Sequence, residues 1–428
     1  RGWARPALAA AGVLAVLAAA ALGPGLLPAD PPPRPADPPA TPVIPVPLAG
    51  LSLRTAPVSA APPGPAVLAY GHGGGAPRWT HATQTVVVGV DGATYRRVDL
   101  AEERGGPAEW GTWRDAPVLL SPDGARLAVG SVGSVDTLAV LDLRTGAARR
   151  YPVRAGAVEP LAWSPDGRRL AYGVRPVTTD GPPPHATGAA VLDLSTGAAR
   201  PLPVPVAVAA FSPDGAQLAV QSDPESQDAD ARSVRVIDAA GQERTLPQSV
   251  SYGVRLAGPA AWSPDGWYLA MVDNAGAGKT PSTITLVSTA PGPRMPTHGL
   301  VYPPPIQAPT ADVAVLGWRA PDRLLVTNLS AADERRIYEI TTAGQTSEVT
   351  RVEHDRFPGG PTTAMQAASG LLPAAEVRSD LPVERGPWPW PWRVAALVAL
   401  SAVAALAYAI WRRRPALPNR RRSVASQV

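Results

Sequence analysis

Between positions 66 and 353 short apolar runs alternate with clusters of turn-forming residues, the pattern of an all-β chain. Four of the clusters are the same tetrapeptide: Ser-Pro-Asp-Gly stands at 121–124, 164–167, 212–215 and 263–266. Leu120, Trp163, Phe211 and Trp262 precede the copies, and Leu-Ala follows each after a short spacer, at 127–128, 170–171, 218–219 and 269–270. The chemistry is that of a hairpin turn. Proline presets φ at the second turn position, aspartate tolerates the third and bonds nearby backbone, and glycine takes the left-handed residue that lets two strands pair. This assigns hairpin roles to Asp123 and Gly124, Asp166 and Gly167, Asp214 and Gly215, and Asp265 and Gly266.

A second signal repeats beside the first: an apolar strand ending in a turn with Asp, Thr or Gly, at 86–92, 138–146, 191–197, 234–241, 284–292 and 337–344. Most copies are followed by another short strand, such as 95–100 or 347–352. Each unit therefore reads as hairpin, connection, hairpin, which is four antiparallel strands. Asp123 to Asp166 is 43 residues, the next step is 48 and the next 51. A degenerate fifth hairpin at 317–322 has lost the final glycine. Such a period matches the four-stranded blades of a β-propeller. Blades close into a ring and fill the gaps between them with aromatic and aliphatic side chains, for which Trp163, Phe211, Trp262 and Trp318 are the candidates. The second signal counts six units, with five or seven left open. The first unit (66–71, 86–90, 95–100) lacks the tetrapeptide, and its missing strand is expected from 51–55 or from the segment after Arg351, which closes the ring by joining the two ends.

The aromatic-Ser-Pro-Asp-Gly-x-x-Leu-Ala pattern, best matched at 163–172, 211–220 and 262–271, resembles the WD40-like (PD40) repeat of the TolB family. The resemblance covers about 66–353 and implies a β-propeller; it is also seen in the propellers of prolyl-oligopeptidase-type enzymes. For function it is weak, because the repeat serves periplasmic scaffolds, peptidase gates and orphan surface proteins alike. The Trp-Asp blade signature of eukaryotic WD40 proteins is not seen.

The flanks differ in kind. After a short N-terminus (1–5), 6–27 is almost wholly apolar, preceded by Arg1 and Arg5 and followed by Asp30. It fits an uncleaved membrane anchor, and a cleaved signal peptide fits as well. Residues 28–65 are rich in Pro and Ala and are expected to be an extended spacer. Residues 354–391 form a second linker with a Pro-Trp run, in which 363–372 is expected to be a short helix. Residues 392–411 read as a transmembrane helix, flanked by Trp388, Trp390, Trp392 and Trp411 as an interfacial belt. The tail 412–428 carries six arginines, which the positive-inside rule places in the cytoplasm. If both termini are inside, the central domain is outside.

Composition narrows the chemistry. There is no cysteine, so disulfides and thiol catalysis are excluded. The net charge of +4 owes much to the tail, so nucleic-acid binding by the main domain is not implied. One lysine among many Ala, Pro and Arg residues points to a GC-rich, bacterial source. Residues 273–280 end like a phosphate-binding loop but have Asp273 where glycine is required, and a strand where a helix should follow. His72 with three glycines is similar to an oxyanion-hole loop, yet no Gly-x-Ser-x-Gly nucleophile elbow accompanies it. Asp223, Glu225, Asp228 and Asp230 crowd one loop without the EF-hand order. The five histidines are scattered, with no pair at ligand spacing.

The sequence thus points to an all-β propeller of about six four-stranded antiparallel blades with flanking transmembrane helices. It is expected on the extracytoplasmic side as a non-enzymatic binding or scaffold module, with no cofactor or metal. Its expected partners are the membrane and an extracytoplasmic protein, peptide or glycan. The rival readings are an enzyme using the propeller channel, a hydrolase or lyase, and a surface sensor signalling through its membrane helices.

Overall fold

The computed structural model describes residues 41–72, 83–107, 113–177, 187–246, 251–273, 283–289, 298–301, 313–329, 335–353, 363–387 and 398–406. The chain divides into a large unit, Pro33–Pro387, and a second unit made of Arg1–Pro32 and Trp388–Val428.

The large unit is almost entirely β. It opens with β1 (Val43–Val46), then β2 (Ala66–His72), β3 (Gln84–Gly89) and β4 (Tyr95–Arg97), followed by the short helix α1 (Asp99–Glu103) and a two-strand pair, β5 (Gly106–Pro107) and β6 (Trp113–Arg114). Next come β7 (Val118–Leu120), β8 (Arg126–Val129), β9 (Val135–Asp142), β10 (Ala148–Trp163), β11 (Arg169–Arg175), β12 (Gly188–Asp193) and β13 (Ala199–Pro201). A further set is β14 (Val208–Phe211), β15 (Gln217–Gln221), the one-turn helix α2 (Ala229–Arg232), β16 (Val234–Asp238) and β17 (Glu243–Thr245). Then follow β18 (Val254–Leu256), β19 (Tyr268–Asp273), β20 (Thr283–Ser288) and β21 (His298–Val301). The last set is β22 (Val313–Ala320), β23 (Arg323–Leu329), β24 (Arg335–Thr341) and β25 (Thr346–Arg351), with β26 (Thr363–Ala367) and β27 (Glu376–Ser379) beyond it.

These strands form four four-stranded sheets, β26-β2-β3-β4, β14–β17, β18–β21 and β22–β25, and one seven-stranded sheet running from β7 to β13. The arrangement is propeller-like. The six second-signal strands are β3, β9, β12, β16, β20 and β24, each the third strand of a four-strand run. The seven-stranded sheet is folded about its longest strand: the first part of β10 pairs with β9, and the part from Ala157 onward pairs with β11. The Trp163 indole at the far end of β10 donates to the Leu119 carbonyl on β7 at 3.0 Å. In a flat sheet those strands would be about 14 Å apart, three inter-strand spacings, so β10 turns from the outer edge of one layer to the inner edge of the next.

The burial pattern explains why the inner strands are continuous apolar runs. Successive residues of a strand face opposite sides, and here both sides are covered. Leu68 and Tyr70 of β2 share a core cluster with Leu325 and Ile337 of the β22–β25 sheet. Ala69, between them in sequence, packs instead with Leu127 and Leu141 of β8 and β9. Each sheet is therefore sandwiched between two neighbours, while outer strands such as β13 and β17 are exposed.

The two ends of the unit meet. β26 pairs antiparallel with β2, supplying the strand that the first unit lacked from the segment after Arg351 rather than from 51–55. The expected short helix over 363–372 is thus a strand at its start, because β2 offers a row of unpaired backbone groups that outweighs the local preference of Ala, Met and Gln. The expected spacer over 28–65 is also corrected in its described part. β1 pairs in parallel with β27, Val43 N–H donates to Val90 O at 2.8 Å, and Leu48 bridges Val352 beside β25. Val43, Ile44 and Leu48 are buried, so this stretch gains apolar burial that its proline content alone does not suggest.

In the second unit, residues 398–406 are helical, with Val398, Leu400, Val403 and Leu406 exposed. Among the described residues no helix is long and apolar enough to cross a membrane. The expected segment 6–27, most of 392–411 and the arginine-rich tail lie outside the described residues.

Candidate functional site

The four tetrapeptide turns are built identically, and the serine organises them. In each, the glycine N–H donates to the serine carbonyl at 2.8–2.9 Å, and the glycine holds a left-handed φ of +65° to +75°. The serine hydroxyl donates to the carboxylate two residues on: Ser121 to Asp123, Ser164 to Asp166, Ser212 to Asp214 and Ser263 to Asp265, at 2.5–2.6 Å. The same oxygen accepts the N–H five residues on, from Arg126, Arg169, Gln217 and Tyr268, at 2.8–2.9 Å. The same aspartate oxygen, Oδ1, also accepts the N–H after the glycine, at 2.9–3.1 Å. All four serines are buried and all four aspartates exposed. The hydroxyl bond holds the Asp166 and Asp214 carboxyls below the usual carboxylate range. The turn aspartates are thus tied into turn geometry. The serine's double role was missed at the level of sequence, although its presence in every copy was the signal.

The aromatic residues before the turns lie between neighbouring layers. The Trp262 indole donates to Ala210 O at 3.0 Å and the Trp318 indole to Ala260 O at 3.1 Å, as Trp163 does to Leu119. Phe211, which has no donor, lies under the guanidinium of Arg169, 5.3 Å from its ring centre. Two glutamine amides, Gln221 buried and Gln366 half-buried, act as spare peptide units across junctions. Gln221 accepts from Leu256 N–H at 2.8 Å and donates to Val254 O at 3.0 Å; Gln366 accepts from Leu120 N–H at 2.9 Å and donates to Val118 O. Neither glutamine lies in a repeated motif, so nothing in the sequence marked them.

Junctions at the turn face carry a further tie. Arg126 reaches across to Gly167 O at 3.0 Å, and Arg169 to Gly215 O at 2.5 Å. At the next junction the same position is Gln217, and a cleft of 460 Å³ lies there, lined by Ser212, Asp214, Gln217, Arg244, Asp265 and Thr289 among others. Arg244 donates to Thr289 O at 3.2 Å. Trp267, next to Gly266 of the cleft wall, is 51% exposed.

No protein-family model matches the chain, and no curated protein does. Among solved structures it is similar to TolB from Acinetobacter baumannii, at 15% identity over 73% of this chain and 67% of that one, with a TM-score of 0.44. It is similar to a putative TolB from Agrobacterium tumefaciens, at 16% identity over 55% and 80% of the two chains, TM-score 0.38. A third similar structure is the β-propeller domain of Myceliophteria thermophila Cps50 (Swd1), at 14% identity over 56% and 72%, TM-score 0.35. The propeller-like architecture stands on the strand order and the closing pair of strands, independently of these likenesses.

The opposite ends of the strands hold titratable groups, His72 and Asp115 buried and Glu102 half-buried. Glu102 of α1 pairs with Arg97, and burial pushes its carboxyl up to about 7. Asp115 accepts from the Thr85 hydroxyl at 2.9 Å and is raised by the same cause. Glu102 Oε1 and Asp115 Oδ1 have no hydrogen-bond partner among the described residues. His72 is pushed down to about 4, by burial first and Arg385 second. The glycines after His72, and 274–280 of the phosphate-loop-like stretch, lie outside the described residues. The acidic loop is used locally: Asp228 caps α2 by accepting Asp230 N–H, and Asp230 pairs with Arg235 at 2.6 Å. Among the described residues no group of three or more His, Asp or Glu is placed to hold a metal ion.

Proposed function

We propose that the chain is a membrane-anchored, extracytoplasmic β-propeller of six blades that acts as a binding or scaffold module without catalysis. The six blades count the folded seven-stranded sheet as two layers that share β10. The observation that carries the reading is the double closure of the unit. β26 joins β2, and β1 joins both β27 and the edge of the last sheet, giving a rigid frame that presents turns at one face and longer connections at the other. Membrane placement is supported by the apolar stretches at 6–27 and 392–411 and by the arginines that follow the second.

Two measurements test this. Protease shaving of intact cells is expected to degrade the central unit, and chemical cross-linking of the full chain in its own membrane is expected to capture a partner exposed on the same side. Protection of the central unit overturns the placement. Turnover of a hydrolase or lyase substrate panel by the purified chain overturns the non-catalytic reading.

A further inference from the structure

We propose that the cleft between the β14–β17 and β18–β21 sheets binds neutral oligosaccharide. The proposal deepens the binding-module reading and rests on it. The opening exists because a repeated tie is absent. Arg126 and Arg169 span the two preceding junctions and bond the glycine carbonyl of the next turn. Gln217 stands at the same position here, and the Gly266 carbonyl is bonded instead by the Thr289 hydroxyl at 2.7 Å.

What the missing arginine uncovers is polar and uncommitted. Asp214 and Asp265 each use Oδ1 in the turn, and the Oδ2 atoms and the Gln217 side-chain amide make no hydrogen bond among the described residues. Among the described residues the Arg244 guanidinium makes one bond, to Thr289 O, and has further donors to offer. Carboxylates accept from sugar hydroxyls, while amide and guanidinium groups donate to them, so the set suits a ligand whose every group is both donor and acceptor. The lining offers two prolines and the edge of a nearly buried Trp262 as its apolar part, which is too little to seat the apolar anchor of a protein partner. Two carboxylates against one guanidinium disfavour an acidic sugar.

An exposed aromatic residue directly follows Gly266 of the cleft lining. The residue after the turn glycine is Ala125, Arg168 and Ala216 in three copies and Trp267 in the fourth. Its backbone is pinned to the cleft wall, with N–H donating to Asp265 Oδ1 at 3.1 Å and carbonyl accepting from Thr289 N–H at 3.0 Å. A half-exposed indole at such a place combines a flat apolar face for sugar C–H groups with a donor N–H.

The test is calorimetric titration of the full chain with cellotriose, maltotriose, triacetylchitotriose and, as the acidic counterpart, trigalacturonate. At least one neutral trisaccharide is expected to bind and trigalacturonate is not. Trp267→Ala is expected to weaken binding by about tenfold or more. Gln217→Arg, which restores the repeated tie, is expected to abolish binding while leaving the melting temperature unchanged or higher. Binding of no neutral trisaccharide, or binding that survives both variants, overturns the proposal. A cross-linked protein partner whose capture ignores Trp267→Ala, with no sugar bound, removes the sugar site and leaves the binding module standing. Neither sugar nor partner removes both.

Discussion

Replacing Ser164 by alanine isolates the element on which the repeat depends. The Ser164 hydroxyl is fully buried, donates its one proton to Asp166 at 2.5 Å and accepts the Arg169 N–H at 2.8 Å. Removing it leaves a half-buried N–H without its acceptor, which costs about 1–3 kcal/mol. The bond to Asp166 adds less, because that carboxylate is exposed and solvent replaces much of the loss. The expected destabilisation is about 2 kcal/mol, measured as a shift in the urea midpoint at unchanged slope. Ser195→Ala is the control: its hydroxyl also meets a carboxylate, Asp193, at 2.5 Å, but on an exposed turn, and the variant is expected within about 0.5 kcal/mol of the parent. The carboxyl of Asp166 gives a second readout. Its pKa is lowered in the folded chain chiefly by Ser164, so the linked stabilisation is present above the unfolded value and lost as pH falls through the folded one. In Ser164→Ala the Asp166 pKa, followed by carboxyl NMR, rises, and the stability gap to the parent narrows in acid. A variant as stable as the Ser195 control, or an Asp166 titration that does not move, refutes the reasoning.

Other outcomes follow from single contacts. Gly124→Ala places a Cβ 2.1 Å from Ala66 O, whereas Gly167→Ala meets nothing within 4 Å. The second is expected to cost only the left-handed strain of about 1–2 kcal/mol and the first more than about 4 kcal/mol, compared by thermal unfolding. Gln221→Leu leaves Leu256 N–H and Val254 O without the amide that bridges them and is expected to cost about 2–4 kcal/mol in urea unfolding. For Glu102, a folded pKa near 7 against 4.5 means that the folded state holds the proton more tightly, so its contribution is lost as pH rises from 4.5 through 7. The parent should therefore lose stability across that window relative to Glu102→Gln, by on the order of 3 kcal/mol, and equal slopes would refute the burial of that carboxyl.

The hairpins were legible because they are local: proline, aspartate and glycine act through their own backbone, and the four copies showed the same solution. The third strand of each unit was equally plain, since a stretch covered on both faces is a continuous apolar run, as in the Val-Val-Val of β3 and the buried Leu-Ala-Val-Leu of β9. What was not legible is long-range. Thr363–Ala367 carries residues that suit a helix as well as a strand, and only β2, some three hundred positions earlier, decides between them. β1 is four residues among prolines, and its partner β27 lies beyond the last repeat. Gln221 and Gln366 do their work across junctions whose geometry no spacing reveals. The cleft was hidden for the same reason: Gln217 becomes informative only beside the reach of Arg126 and Arg169.

The central claim is that the β-rich unit is closed by its own C-terminal strand, and hydrogen exchange of residues 66–72 in a Met365→Pro chain tests it most directly. Proline there removes a donor and breaks β26 while leaving β2 and β3 intact. The amides of 66–72 that face β26 should lose protection against the parent chain while 218–221 of β15 keeps its own. Unchanged protection of 66–72 would mean that β26 is not their partner and that the unit is not closed in this way.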